Sequence, residues 1–283
     1  MPILSEITLY PIKSCGGISL QEATLTVTGL MTAQIYDREW MVVDGAGVCL
    51  TQREHPRMAL ITPSLKGSTL ELRAPGMLRL EIPLDLPDPD QAPTLTTQVW
   101  DDTVLAYDCD DLSAEWFSQA IGVPCRLARF HAKAERAVSQ KWTSGVAATT
   151  MFSDGYPMLV AGAASLDDLN DKLRHAGRDA IPMNRFRPNL VVAGIEAFEE
   201  DYVETFQLGD ALLKPVKPCS RCPMPSVDQA TGEFGPDPLD LMQGYRAKPE
   251  LDGALCFGMN SILVAGEGQQ VRVGQEIVVT LAF

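Results

Sequence analysis

Two cysteines three positions apart, Cys219 and Cys222, are the residues of this 283-residue chain best suited to carry chemistry. They lie in the run Lys214-Pro-Val-Lys-Pro-Cys-Ser-Arg-Cys-Pro-Met-Pro-Ser-Val-Asp228. Such a pair can chelate zinc, cycle through a disulfide, or offer one soft thiolate to a metal. A structural zinc needs two further ligands, and no second Cys-x-x-Cys or Cys/His pair is present. A thioredoxin-like pair starts a helix after an early strand, whereas here Pro218 and Pro223 flank the pair late in the chain. The plainest alternative is a proline-stiffened surface loop with two free thiols. Arg221 tilts the reading toward function, because a cation beside Cys222 favours thiolate over thiol.

Other cations stand in tight local contexts. Lys13-Ser14 precedes Gly16-Gly17, where an ammonium, a hydroxyl and backbone N–H groups can converge on a phosphate. Arg38 follows Asp37 just before an apolar stretch, and Arg185-Phe-Arg187-Pro-Asn189 precedes another. Each alone reads as a salt-bridged or solvated side chain. Together they suit an anionic ligand held next to a thiolate-bound metal.

Several chemistries are excluded or unsupported. No Gly-x-x-x-x-Gly-Lys-Ser/Thr and no Gly-x-Gly-x-x-Gly at a strand-to-helix junction occurs, so P-loop and dinucleotide folds have no support. The three histidines (His55, His131, His175) form no His-Glu-x-x-His pair, and there is no Gly-x-Ser-x-Gly elbow. A formal net charge of -14 repels polyphosphate partners at long range, which argues against nucleic-acid binding. No apolar run approaches the roughly 20 residues of a membrane span. Seven scattered cysteines and the lack of a leader-like start point to a reducing cytoplasm.

The elements that must position these residues are mostly short strands. Composition, with 46% hydrophobic and 21% charged positions, suffices for one large or two modest cores. Strands are expected over Ile3–Ile12, Met58–Thr62, Thr69–Arg73, Leu78–Ile82 and Gln98–Asp108, with a hairpin of Trp40–Val43 and Val48–Thr51 about Asp44-Gly45. Asp85–Pro93 reads as a solvated loop. A helix over Asp111–Ile121, capped by Asp111 or Ser113, ends at Gly122 and Pro124. A second begins at Ser165 with Asp168 as a capping-box partner, and Leu239, Met242 and Tyr245 suggest a third. Strands return at Leu190–Val192, Glu204–Leu208, Ala211–Val216, Ser261–Val264 and Val271–Leu281. The fold class is therefore mainly β with α (α+β), with a division near Cys125 into residues 1–125 and 126–283.

The ordered set Tyr10-Pro-Ile-Lys-Ser-Cys-Gly-Gly17, Asp37-Arg38, Thr51-Gln-Arg-Glu-His-Pro-Arg57, Ser153-Asp154, Pro157, Ser165-Leu-Asp-Asp-Leu-Asn170, Phe186-Arg-Pro-Asn189, Cys219-Ser-Arg-Cys222, Val227-Asp228 and Phe257-Gly258 resembles the MOSC superfamily of molybdenum-cofactor proteins. Within it, the likeness is to members that join an N-terminal MOSC β-barrel domain to a MOSC domain, such as the amidoxime reducing components and their bacterial relatives.

The resemblance implies molybdopterin in a cleft between two β-barrel domains, with Cys222 as the molybdenum ligand. Lys13, Ser14 and Arg38 match cofactor contacts from the N-terminal side. Asp154, Gly155, Tyr156, Arg187, Asn189, Ser220 and Arg221 match those from the MOSC side, and Asn260 falls where relatives often carry an aromatic. Gly155-Tyr156 replaces a small hydroxylated pair, and Pro223-Met224-Pro225 is stiffer than the usual run. The implied activity is reduction of N-hydroxylated substrates: amidoximes, hydroxamic acids and N-hydroxylated bases. Cysteines for an iron–sulfur cluster are lacking, so electrons are expected from a separate ferredoxin-, flavin- or cytochrome-type protein. Asp228 is a candidate proton donor by its closeness to Cys222, or simply a turn-stabilising carboxylate. The alternative activity is a cofactor or sulfur carrier with a persulfide on Cys222.

Overall fold

In the computed structural model, which describes residues 1–282, strands outnumber helices and form four sheets. The largest sheet has nine strands. At one edge lie Ile18–Leu20 and Ile3–Leu9 from the start of the chain. Ile3–Leu9 pairs antiparallel with Leu190–Ala193, which runs parallel to Met158–Gly162. The sheet continues through Ala254–Ala265, Ala211–Ser220, Val203–Leu208 and Val278–Leu281. A four-stranded sheet combines Thr94–Val99, Asp102–Asp108, Arg126–Phe130 and Trp40–Val43. A second couples Gln270–Arg272 to Glu22–Thr26, Gly29–Thr32 and Ile35–Tyr36. Backbone pairing thus crosses position 125 in four strand ladders. The most extensive apolar core, including Leu4, Ile7, Trp40, Phe117, Val192 and Phe206, lies between these layers, with smaller ones around Phe130 and around Phe257.

The helix Asp111–Ile121 forms as its periodicity dictates, burying Trp116, Phe117 and Ile121. Its cap is Asp110, whose carboxylate accepts from Ser113 N–H, and Gly122 closes it in the left-handed conformation. The second helix spans Ala163–His175, starting two residues earlier than expected. Ser165 does not cap it: its hydroxyl donates to the buried Glu200 carboxylate at 2.7–2.8 Å, so the sequence signature serves a tertiary contact. The third is a short 3-10 turn, Pro238–Met242.

Other expectations shift for identifiable reasons. Pro56–Leu60 is a 3-10 turn rather than a strand, since Pro56 supplies no ladder N–H and fixes a helical φ. The pairing strand is Thr62–Lys66. Gln98–Asp108 folds as two strands turning between Val99 and Asp102. The tight turn at Asp44 forms, its carboxylate accepting from Ala46 and Val48 N–H. The second arm makes only isolated bridges, because Cys49 N–H is taken by Gln98. Val271–Leu281 likewise divides into Gln270–Arg272 and Val278–Leu281. No described helix is long and apolar enough to cross a membrane.

Ala211–Ser220 and Ala254–Ala265 are longer than the spans expected for them, which has consequences for the site. Pro215 and Pro218 each lack a ladder donor, yet the strand continues through them by slipping register at Pro215/Lys217 and Pro218/Ser220. These bulges carry Cys219 and Ser220 to the end of the sheet.

Candidate functional site

A solvent-open cleft lies where the early loops meet the ends of the large sheet. Lys13, Ser14 and Arg38 line it from one side, and Asp154, Gly155, Tyr156, Arg187 and Asn189 from the other. Ser220, Arg221, Cys222 and Asn260 complete the set of predicted contacts, with Cys219 beside them. Residues up to 247 positions apart in sequence therefore share one cavity, from Lys13 to Asn260.

The floor is built on Tyr10. Its ring lies between two guanidinium groups, Arg38 at 4.3 Å and Arg187 at 4.2 Å from the centroid. Gly17 makes room for this arrangement: a Cβ there would stand 2.7 Å from the Tyr10 ring and 2.5 Å from Thr8. Arg38 is paired with the buried Asp37 and also donates to Asn189 Oδ1 at 3.2 Å. Burial pushes the Asp37 carboxyl up, against the pull of Arg38 and the donors from Tyr10 N–H and Asn189. Arg187 is buried, its pKa lowered by that burial, and its Nη2 has no partner. A charged donor left this way is costly inside a protein unless an acceptor arrives.

Lys13 is buried and donates to Phe152 O at 2.9 Å and to Asp154 Oδ1. Burial lowers its pKa, opposed by Asp154. For Asp154, desolvation by the cleft walls is outweighed by Lys13, Arg53 and the Trp100 N–H, which hold its carboxyl well below the usual carboxylate range. The neighbouring Ser153 hydroxyl is buried without a partner. Gly155 faces open space, so a side chain at this position would meet no neighbour. Burial raises the Tyr156 hydroxyl pKa above its ordinary value.

Cys219 and Cys222 are both free and partly exposed, and burial pushes the Cys219 thiol up, against the lowering pull of Arg221. The Arg221 side chain donates to Phe257 O from Nε at 3.0 Å and from Nη2 at 2.6 Å, and to Phe186 O at 2.9 Å. It thereby bolts the cysteine loop to the stacked Phe186–Phe257 pair, whose centroids lie 3.9 Å apart. Among the described residues no three His, Cys, Asp or Glu side chains converge as a metal site. A metal at Cys222 therefore needs ligands from outside the chain, which suits a cofactor that brings its own sulfur donors.

Asp228 is the one predicted site residue outside the cleft lining. Its carboxylate accepts from Ala230 N–H at 2.8 Å and Thr231 N–H at 3.1 Å and pairs with Arg185 at 2.7 Å. The backbone donors, aided by Arg185, hold it below the usual carboxylate range, so it is an ionised turn-former at neutral pH.

Sequence reasoning passed over Trp100 and Arg136 and gave no role to Arg53, which it quoted only within the run Thr51–Arg57. Arg53 stacks on Trp100, and both line the cleft. Buried Arg136 donates to the carbonyls of Met151, Ser153 and Asp154 and anchors on Asp102. One signal is conformational: of nine non-glycine residues with positive φ, four (Ser14, Arg38, Trp100, Arg187) line this cleft. Such strain persists only where the surroundings impose it.

Comparison with known proteins follows the same geometry. Residues 1–124 match the MOSC N-terminal beta barrel domain and residues 147–278 the MOSC domain. Mitochondrial amidoxime reducing component 2 of Rattus norvegicus is 34% identical over 249 residues, covering 86% of this chain and 72% of that protein. Mitochondrial amidoxime-reducing component 1 of Homo sapiens is 31% identical, covering 86% and 72%. Molybdenum cofactor sulfurase of Bos taurus is 30% identical, covering 87% of this chain and 29% of that one. A solution structure of a Bordetella bronchiseptica protein is 33% identical over 44% of this chain and 88% of its own, with a TM-score of 0.36. With its barrel-forming strands, its cysteine loop and both domain matches, the chain belongs to the MOSC family and carries the N-terminal MOSC β-barrel domain together with the MOSC domain.

Proposed function

We propose that the protein is a molybdenum-cofactor-dependent oxidoreductase that reduces N-hydroxylated substrates such as amidoximes, hydroxamic acids and N-hydroxylated bases. The observation that carries this reading is the meeting, in one cleft, of the Cys222 thiol with a buried guanidinium nitrogen of Arg187 that has no partner. The first suits a soft metal and the second an anionic tail, the two ends of a metal-bearing pterin phosphate. When bound, that cofactor supplies two-electron chemistry converting N–OH to N–H with release of water.

In this reading Cys222 holds the metal, while Arg187, Lys13, Ser14 and Arg38 hold the phosphate end. Asn189 fixes Arg38, and Arg221 fixes the cysteine loop, each through the hydrogen bonds described above. Ser220, Asn260, Asp154 and Gly155 frame the remaining wall. Tyr156, Met224 and Pro225 also line the cleft, and the Tyr156 hydroxyl stays protonated at neutral pH. Electrons come from a separate ferredoxin-, flavin- or cytochrome-type protein in a reducing, cytoplasmic setting, which the seven free thiols suit.

Two thiols in one cleft, and the similarity to a protein named as a cofactor sulfurase, favour a second reading in which Cys222 carries a persulfide. The test is molybdenum and pterin content of wild type and Cys222→Ala from a molybdenum-replete host, with turnover of benzamidoxime by a reduced viologen dye. About one metal and one pterin per chain with dye-driven turnover, the metal and turnover lost in the variant, is the expected result. Wild type with neither metal nor pterin, and a persulfide on Cys222 by mass spectrometry, transfers the assignment to the carrier.

A further inference from the structure

The cleft contains one cation without a role in the arrangement above. Arg53 lies with its guanidinium carbon 4.3 Å from the centroid of Trp100, its Nε buried and without a partner. The nearby carboxylate does not claim it: Asp154 is paired with Lys13 and accepts from Trp100 Nε1 at 3.1 Å. Trp100 is itself held at φ 55, so the surroundings impose its position.

This corner faces solvent. The Asp154 side chain is 67% exposed, against 6% for Lys13 on the floor. With Lys13 and Asp154 cancelling one another, Arg53 leaves a net positive charge at the rim. Stacking on an aromatic face fixes the plane of a guanidinium while leaving its in-plane N–H groups free for an oxygen acceptor. An arginine kept flat, charged and uncommitted at a cleft mouth is organised for an anion that comes and goes.

We propose that Arg53, held by Trp100, binds an anionic oxygen group, a carboxylate or a phosphate, on the end of the substrate remote from its N–O bond. Arg53 is then a specificity-determining residue, and the preferred substrates are anionic N-hydroxy compounds. This rests on reading the cleft as the site of N-hydroxylated substrates.

The test titrates benzamidoxime and 4-carboxybenzamidoxime into the purified protein by calorimetry with no electron donor, so that binding alone is read. Wild type, Arg53→Met and Arg53→Lys are compared through the ratio of the two affinities. The expected wild-type ratio favours the carboxylated probe by about tenfold, the size of one charge-assisted hydrogen bond. It falls to about one in Arg53→Met, is partly kept in Arg53→Lys, and shrinks with added salt. Equal affinities in wild type overturn this inference and leave the functional reading standing; binding of neither probe overturns both. A normal ratio in Arg53→Met with a loss of pterin also overturns it, by assigning Arg53 to the cofactor. Equal wild-type affinities overturn the inference even where a variant fails to fold, and a normal ratio in a folded Arg53→Met overturns it whether or not pterin is lost.

Discussion

Asn189 Nδ2 donates to Asp37 Oδ1 at 2.9 Å, joining residues 152 positions apart at the floor of the cleft. The same amide also donates to Thr8 O at 3.2 Å and accepts from Leu159 N–H and Arg38. Asp37 Oδ1 in turn accepts Tyr10 N–H at 2.8 Å. The pair thus sets the backbone on both sides of the Arg38–Tyr10–Arg187 stack, and Asn189 acts on a ligand through Arg38.

Asn189→Ala is expected to leave several buried polar groups unmatched and to cost about 2–4 kcal/mol of stability. The shift should appear as a lower denaturation midpoint with an unchanged slope. Asn189→Asp is expected to be worse than the alanine variant, because a second carboxylate then faces Asp37. Retention of wild-type stability by the alanine variant would remove Asn189 from its clamping role.

Asp228 provides a test by pH. Its native carboxyl titrates below the unfolded value, so its contribution to stability is present above the ordinary carboxylate range and is lost as pH falls through the native pKa. Asp228→Asn is therefore expected to lose about 1 kcal/mol at pH 7, a partly exposed ion pair and turn, and nothing relative to wild type in strong acid. Its pH–rate profile for N-reduction should superimpose on that of wild type. A profile that loses its acidic or basic limb in Asp228→Asn would restore the residue as a proton donor.

Legibility in the sequence followed the range of the interaction. Asp111–Ile121 was readable because its apolar period and the Gly122 stop are local. The cysteine pair and the cationic loops were readable as chemistry, and they line one cleft. The sequence pattern supports a strand only over Ala211–Val216, whereas the structure extends it to Ser220 because the pairing with Ala254–Ala265 accommodates the donors missing at Pro215 and Pro218 through register shifts. Trp100 and Arg136 carried no local signal, and Arg53 stood in the quoted run Thr51–Arg57 with nothing local to show its role. Their partners lie 47 positions away for Arg53–Trp100 and 34 for Arg136–Asp102, and only the fold brings them together.

Arg136→Gln should loosen the loop that carries Ser153, Asp154 and Gly155. The guanidinium donates to three carbonyls of that loop and rests on Asp102 at 2.6 Å, and glutamine reproduces at most two of those contacts. The expected cost is about 2–4 kcal/mol, with faster proteolytic nicking between residues 151 and 157. Cofactor content should fall although Arg136 itself does not line the cleft. Nicking and cofactor content equal to wild type would place the loop's order elsewhere.

The two thiols of the cleft should differ in how they answer a reagent that attacks thiolates. Burial raises the Cys219 pKa above that of an ordinary thiol, so at pH 7 the unreactive thiol form predominates. In Cys222→Ala, alkylation of Cys219 by iodoacetamide, followed by peptide mass spectrometry, is expected to be slow at pH 7. It should quicken about tenfold per pH unit until the native pKa is reached. Unfolding in urea should abolish the difference, because the raised value belongs to the folded environment. Rapid labelling of Cys219 at pH 7 in the folded variant would show a thiolate already present, and would make Cys219 rather than Cys222 the sulfur to examine first.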